Sequence, residues 1–150
     1  MNIVVKRLDP TRAPGAAWEG DVQDAMQEID ARFAPPAGCF LVAADWGTTP
    51  ADPVAVAGTA GYRRVSAEAC EAARIVVKKA FQGQGLGKLL LRALTDQARG
   101  AGYTKMRAEV PAEIPELAAF YKRSGFTEVG AFRIATLEEL EGRVFLERAL

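Results

Sequence analysis

The sequence predicts an α+β domain with one mixed β-sheet at its centre, and three observations predict it. Short apolar runs, some with period two, fill the first half of the chain, as strands require. A glycine-rich turn, Gln82-Gly83-Gln84-Gly85-Leu86-Gly87-Lys88, joins an apolar run to a helix that opens directly from it. A further alternating segment follows that helix. Strand, helix and strand therefore fit into about 40 residues, as a right-handed crossover between parallel strands does. Strands first, then a βαβα core, then two closing strands describe a mixed α+β domain around a single sheet.

Taken in order, Ile3 to Arg7 reads as the first strand, ended by Asp9-Pro10. From Ala16 to Phe33, the residues Trp18, Val22, Met26, Ile29 and Phe33 recur every three or four positions with acids and amides between them. That is an amphipathic helix, stopped by Ala34-Pro35-Pro36. Its acids Asp21, Asp24, Glu28 and Asp30 read as a solvated face. Gly38 to Ala44 is a short strand, and Asp45 to Pro53 is a loop rich in Thr, Pro and Asp. Pro53 to Arg64 and Cys70 to Val77 are the next strands, with a turn at Ser66 to Ala69. Strands joined by such short loops suggest an antiparallel meander.

Leu89, Leu90, Leu91 and Leu94 give the helix after the glycine turn its apolar spacing, and Gly100 and Gly102 end it. Tyr103 to Val110 places Thr104, Met106, Ala108 and Val110 on one face and Lys105, Arg107 and Glu109 on the other. It is a half-buried strand, expected to lie parallel to Ile75–Val77. A second helix runs from Pro115 to Ser124, with proline in its first turn, Lys122 and Arg123 at its end and Gly125 as a left-handed stop. Phe126 to Ile134 and Arg143 to Ala149 complete the sheet, joined by the acidic stretch LEELEG. There is no repeat, no low-complexity tract and no boundary, so residues 1–150 are read as a single domain.

Composition narrows the function by exclusion. Lys+Arg and Asp+Glu both total 19, so nothing in the charge balance calls for nucleic acid or a membrane surface. No apolar run is long enough to span a bilayer and the N-terminus does not resemble a signal peptide, which makes the cytoplasm the expected location. Cys39 and Cys70 lie far apart in apolar, strand-like segments, where free cysteine behaves as a small buried hydrophobe. The absence of histidine removes Ser-His and Cys-His mechanisms and the commonest metal ligand. Proton transfer must then use Glu, Asp, Tyr, Lys, Cys or water.

The turn at 82–88 leaves backbone N–H groups pointing out of a helix N-terminus, a site suited to a phosphate or pyrophosphate. Its spacing excludes two familiar loops. A dinucleotide loop needs a third glycine where Lys88 stands, and three strands precede this turn instead of one. A nucleotide P-loop needs glycine at Gln82 and a hydroxyl residue at Leu89.

The pattern that fits is Gln/Arg-x-x-Gly-x-Gly/Ala, met by Gln82, Gly85 and Gly87. It resembles the acetyl-CoA signature of the GNAT N-acetyltransferase superfamily. The preceding strand, CEAARIVV, is similar to the family's strand, with Glu71, Arg74 and Val77 in register. Downstream, Phe120-Tyr121-Lys122-Arg123-Ser124-Gly125-Phe126 resembles the family's helix end, Leu-Tyr-x-x-x-Gly-Phe. The resemblance runs from Val54 to the C-terminus, and the N-terminal third matches only in element order. It implies a three-layer α/β/α acyl-CoA N-acyltransferase fold and transfer of acetyl from acetyl-CoA to a primary amine, by direct attack in a ternary complex without a metal.

By that resemblance Gln82, Gly83, Gln84, Gly85, Leu86, Gly87 and Lys88 cradle the pyrophosphate, and Ile75, Val76 and Val77 form the segment that pairs with the pantetheine arm. Tyr121 matches the tyrosine that protonates the departing thiolate, and Glu71 a glutamate that acts as general base, with Glu109 in reserve. Three positions depart from the family. Lys79 replaces a common proline, Ile114 an asparagine that holds the pantetheine arm, and Ala73 a longer side chain. The loss of the asparagine keeps open a second reading, an acyl-CoA-binding sensor without turnover. The acceptor is expected to be a small-molecule or peptide amine, received between Ala16–Phe33 and Ile134–Gly142, whose acids suit a cationic amine. A homodimer is left open.

Overall fold

The computed structural model describes residues 2–9, 29–47 and 53–150. Among these, seven strands form one sheet: β1 (Val4–Arg7), β2 (Cys39–Asp45), β3 (Ala55–Arg64), β4 (Ala69–Val77), β5 (Lys105–Pro111), β6 (Thr127–Val129) and β7 (Arg143–Ala149). Their spatial order is β1-β2-β3-β4-β5-β7-β6. The expected meander is present, since β1 to β4 pair antiparallel in sequence order. The crossover is present too, because β4 and β5 are the parallel pair.

Burial follows the side-chain alternation of the strands. In β2, Cys39, Leu41 and Ala43 enter one core cluster, while Phe40, Val42 and Ala44 enter another on the opposite face. The first cluster is closed by helix α1 (Leu86–Gly100), through Leu90, Leu91, Leu94 and Ala98, and by helix α2 (Pro115–Arg123), through Ala118 and Tyr121. Leu89 is half exposed, so the apolar stripe of α1 is narrower than its run of leucines. Ile29 and Phe33 cover the second face. The helix expected over Ala16–Phe33 lies outside the described residues up to position 28. Its described end, Ala31–Phe33, is a 3-10 turn capped by the Asp30 carboxylate, which accepts from the Arg32 N–H at 2.9 Å.

Both long helices end in the same way. Gly102 and Gly125 have φ of +95° and +92°, a left-handed conformation that favours glycine. After α1, Gly102 and Tyr103 donate to the carbonyls of Arg99 and Ala98. After α2, Gly125 and Phe126 donate to those of Lys122 and Tyr121. Each is a Schellman closure. Such a closure brings together the residue after the glycine and the one five positions earlier. Here Phe126 packs its ring on Tyr121, with centroids 5.1 Å apart. The Tyr-x-x-x-Gly-Phe spacing is thus a helix stop that also fixes the tyrosine.

One expectation is corrected, and the joining stretch after it takes a definite form. Of Phe126–Ile134 only Thr127–Val129 is strand; it is an edge strand paired to β7 alone. Beyond it Phe132 turns back to pack edge-on against Phe145. The acidic stretch is a short helix, α3 (Leu137–Glu141), whose start is a capping box. Thr136 accepts from the Glu139 N–H and the Glu139 carboxylate accepts from the Thr136 N–H.

Candidate active site

A bulge in β4 creates the site. Between Thr59 and Gly61, β3 advances two residues while β4 advances three, from Val76 to Ala73. The extra residue falls at Arg74, whose φ is +56°. For a residue with a β-carbon this conformation costs about 1–3 kcal/mol. The fully buried Thr59 helps hold it, its hydroxyl donating to the Arg74 carbonyl at 2.9 Å.

The bulge shifts the strand's facing by one. Cys70 and Ala72 point into the first core, and after the bulge Ile75 and Val77 do so. Ala73 and Val76 face the other side. A bulge also bends its strand, and here the parallel ladder ends early. Only Ala69, Cys70 and Glu71 pair with β5, opposite Lys105, Met106 and Arg107. The expected parallel pairing of Ile75–Val77 is therefore corrected: this end of β4 stands away from β5 and leaves its backbone open. The Lys78 N–H donates to Ala57 of β3 at 2.8 Å. Strand alternation then directs the N–H groups of Val77 and Ile75 away from β3, into the gap.

The glycine turn closes one end of that gap. The Gln82 side chain donates to the Val77 carbonyl at 3.0 Å, tying the turn to the end of β4. Lys79, which departs from the expected proline, opens a 3-10 turn (Lys79–Phe81) that sets the approach to it. Gly83 and Gly85 have φ of +79° and +81°. Among the described residues no backbone acceptor takes the N–H groups of Gly83, Gln84, Gly85, Leu86, Gly87 or Lys88, and the first helical bond there is Leu89 to Gly85. A β-carbon at Gly83 or Gly85 would meet nothing within 4 Å. Six bare N–H groups beside open space fit a pyrophosphate, at the positive end of the α1 dipole.

The gap between β4 and β5 opens into a cavity of about 580 Å³, whose lining includes Ile75, Val76 and Phe120 together with Glu71, Glu109 and four arginines. Tyr121 also lines it, though its side chain is almost wholly buried. Among the described residues its hydroxyl takes no hydrogen-bond partner, and no fully buried polar side-chain atom is left unpaired, so that hydroxyl reaches the cavity. Burial, with the Glu71 carboxylate adding to it, pushes the phenol well above its ordinary value. The tyrosine therefore holds its proton across the neutral range.

The two candidate carboxylates differ. One oxygen of Glu71 faces the Arg63 guanidinium at 3.4 Å. Both oxygens of Glu109 are taken, one by Arg133 and the other by Arg143 at 2.9 Å. Burial works to raise the Glu109 carboxyl, but the two guanidiniums outweigh it and hold it below the usual range. Glu71 is the freer acceptor. Cys39 and Cys70 are buried and unpaired, and burial pushes their thiols up to about 11 and about 12. Ile114 is exposed at the start of α2 and offers that helix no side-chain cap. Ala73 lines the cavity, which its short side chain leaves wider.

Of the arginines at the cavity, only Arg74 was singled out from the sequence, as part of the strand motif. Arg63 could have been, because the β3–β4 hairpin sets it directly opposite Glu71. Arg32, Arg133 and Arg143 come from distant segments, and only the fold assembles them. Among the described residues no cluster of His, Cys, Asp and Glu could hold a metal, and no helix is long and apolar enough to cross a membrane.

Comparison with known proteins bears on this site. The family model described as "Acetyltransferase (GNAT) family" matches residues 7–126. No curated protein matches the chain significantly. Among solved structures, a Klebsiella pneumoniae protein assigned to the acyl-CoA N-acyltransferases is 24% identical, with 99% of this chain and 97% of that one covered, at a TM-score of 0.72. An IAA acetyltransferase from Bacillus cereus is 20% identical, covering 99% and 100%, at 0.68. A GNAT family acetyltransferase from Elizabethkingia anophelis, solved with acetyl-CoA bound, is 16% identical, covering 99% of each chain, at 0.67. At these identities the likeness to solved structures is one of fold.

Proposed function

The chain belongs to the acetyltransferase (GNAT) family, and on that premise we propose that it transfers an acetyl group from acetyl-CoA to a primary amine in the cavity between β4 and β5. One observation carries the proposal. A helix N-terminus with six bare N–H groups is tied through Gln82 to the unpaired end of β4, and the cavity beside that end is lined by Tyr121.

Acetyl-CoA, when bound, supplies the activated acetyl group. Gly83 to Lys88 would receive its pyrophosphate, and the N–H groups of Ile75 and Val77 would meet its pantetheine arm, with Val76 between them. In the absence of an asparagine at Ile114, backbone groups carry that arm. Glu71, beside the cavity, accepts the proton of the incoming ammonium, directly or through water. Tyr121 holds a proton at its hydroxyl for a departing thiolate. A backbone N–H in the open end of β4 is the donor available to a developing oxyanion, a type of contact worth about 3 kcal/mol elsewhere. Attack by the amine is direct, because both cysteines are buried with raised pKa and cannot serve as acyl carriers.

The test is free-thiol release from acetyl-CoA with a panel of primary amines. Amine-dependent release is expected. Thermal stabilisation by acetyl-CoA with no release for any amine would instead mark a sensor, and no stabilisation at saturating acetyl-CoA would remove both readings.

A further inference from the structure

We infer that Arg63 is a positioning residue for the reaction, holding the Glu71 carboxylate where it takes the acceptor's proton; this rests on the transferase reading above. The observation is a row of residues that crosses four strands. Register sets Arg63 of β3 opposite Glu71 of β4, Glu71 opposite Arg107 of β5, and Arg107 opposite Glu147 of β7. Residues opposite one another in a sheet project from the same face. The row therefore alternates in charge, and Glu71 stands in it between two arginines.

Of those two, Arg63 is the one that bonds it. The Arg107 Nε donates to Glu147 at 3.0 Å, and its guanidinium lies over the Phe132 ring, 5.1 Å from the centroid. Arg63 Nη2 donates to Glu71 Oε2 at 3.4 Å, and both residues line the cavity. The other Glu71 oxygen takes no hydrogen bond among the described residues. Glu71 also occupies the last rung of the parallel ladder, beyond which β4 and β5 part. A carboxylate at the edge of such an opening would be free to swing between rotamers. One oxygen on Arg63 orients it, and the second is left to accept. Glu109 shows the contrast, since arginines engage both of its oxygens and it is occupied as well as held. The proton passes from the ammonium nitrogen to Glu71, directly or through water, and Arg63 keeps its own charge throughout.

The experiment is steady-state kinetics of thiol release for Arg63→Gln, Arg63→Lys, Glu71→Gln and the combination of Arg63→Gln with Glu71→Gln. The Kd for acetyl-CoA and the urea midpoint are measured on each. Arg63→Gln is expected to lower kcat about tenfold, less than loss of the base itself, with the KM for the amine and the Kd for acetyl-CoA within about twofold of wild type. Arg63→Lys should recover most of that rate, because the contact is a single one that an ammonium can make. In the Glu71→Gln background the change at Arg63 should cost nothing further, as for residues that act through one group. The urea midpoint should scarcely move, because the ion pair is partly exposed. Unchanged kcat in Arg63→Gln, no recovery in Arg63→Lys, or the same loss with Glu71 present and absent would overturn the inference. So would a fall in rate matched by a fall in stability. Each of these leaves the transferase reading standing, since wild type still releases thiol. A wild-type protein that releases none with any amine would sink both.

Discussion

At the scale of single residues, the site turns on which groups have a free atom to offer. Tyr121 and Glu71 both line the cavity, whereas Glu109 has both oxygens engaged by arginines. Glu71→Gln is therefore expected to lower kcat by about 10²-fold or more, the usual weight of a general base. Glu109→Gln should act mainly on stability and cost far less in rate. Steady-state kinetics of the two variants, beside their urea midpoints, check the assignment; equal losses of rate would reverse it. Glu71 and Tyr121 were legible in the sequence because each matches a position of a motif, and Glu109 only as a reserve on the neighbouring strand. The arginines other than Arg74 were not, since a guanidinium in a sequence looks the same whether it faces solvent or a cavity.

At the scale of elements, the proposed site assigns the pyrophosphate to the glycine turn and the pantetheine arm to the end of β4 beyond its bulge. Gly87 is helical, and a β-carbon there would make only ordinary contacts, the nearest 3.6 Å away on Phe120 and Val77. Gly87→Ala should thus leave stability unchanged or raise it by up to about 1 kcal/mol. The methyl would rest on Phe120 and Val77, and the signature itself admits alanine here, so the Kd for acetyl-CoA should stay within about threefold of wild type. A rise of about tenfold in Kd would contradict this and mark a glycine kept for the ligand, while a loss of stability would mark a glycine kept for folding. Thr59→Val removes the hydroxyl on the Arg74 carbonyl, and about 1–3 kcal/mol of stability should go with it. The check is a lower urea midpoint at constant m. Strands and helices were legible because burial writes a period of two or 3.6 into a chain. The bulge was not, because it depends on Thr59, a residue of another strand. The capping box Thr136-Leu137-Glu138-Glu139 carried a readable signature, but its acids read equally well as a solvated loop.

At the scale of the whole molecule, one sheet buries all three tyrosines, and burial is the first cause raising each of their phenols. In the unfolded chain they titrate near about 10. Above that pH the unfolded state sheds protons that the folded state retains, so the stability tied to these phenols is present below about pH 10 and is lost as pH rises toward their folded values. Urea midpoints measured from pH 8 to 11 should fall over the upper part of that range. Tyrosinate absorbance should appear only together with unfolding.

The claim that joins these scales is that the glycine turn and Tyr121 are two halves of one acetyl-transfer site. It is tested most directly by Tyr121→Phe, which keeps the ring that packs on Phe126 and removes only the hydroxyl. Amine-dependent thiol release and the Kd for acetyl-CoA are measured side by side with wild type. The account predicts a fall in turnover of about 10²-fold or more, with a Kd nearly unchanged. Equal turnover in the two proteins would contradict it.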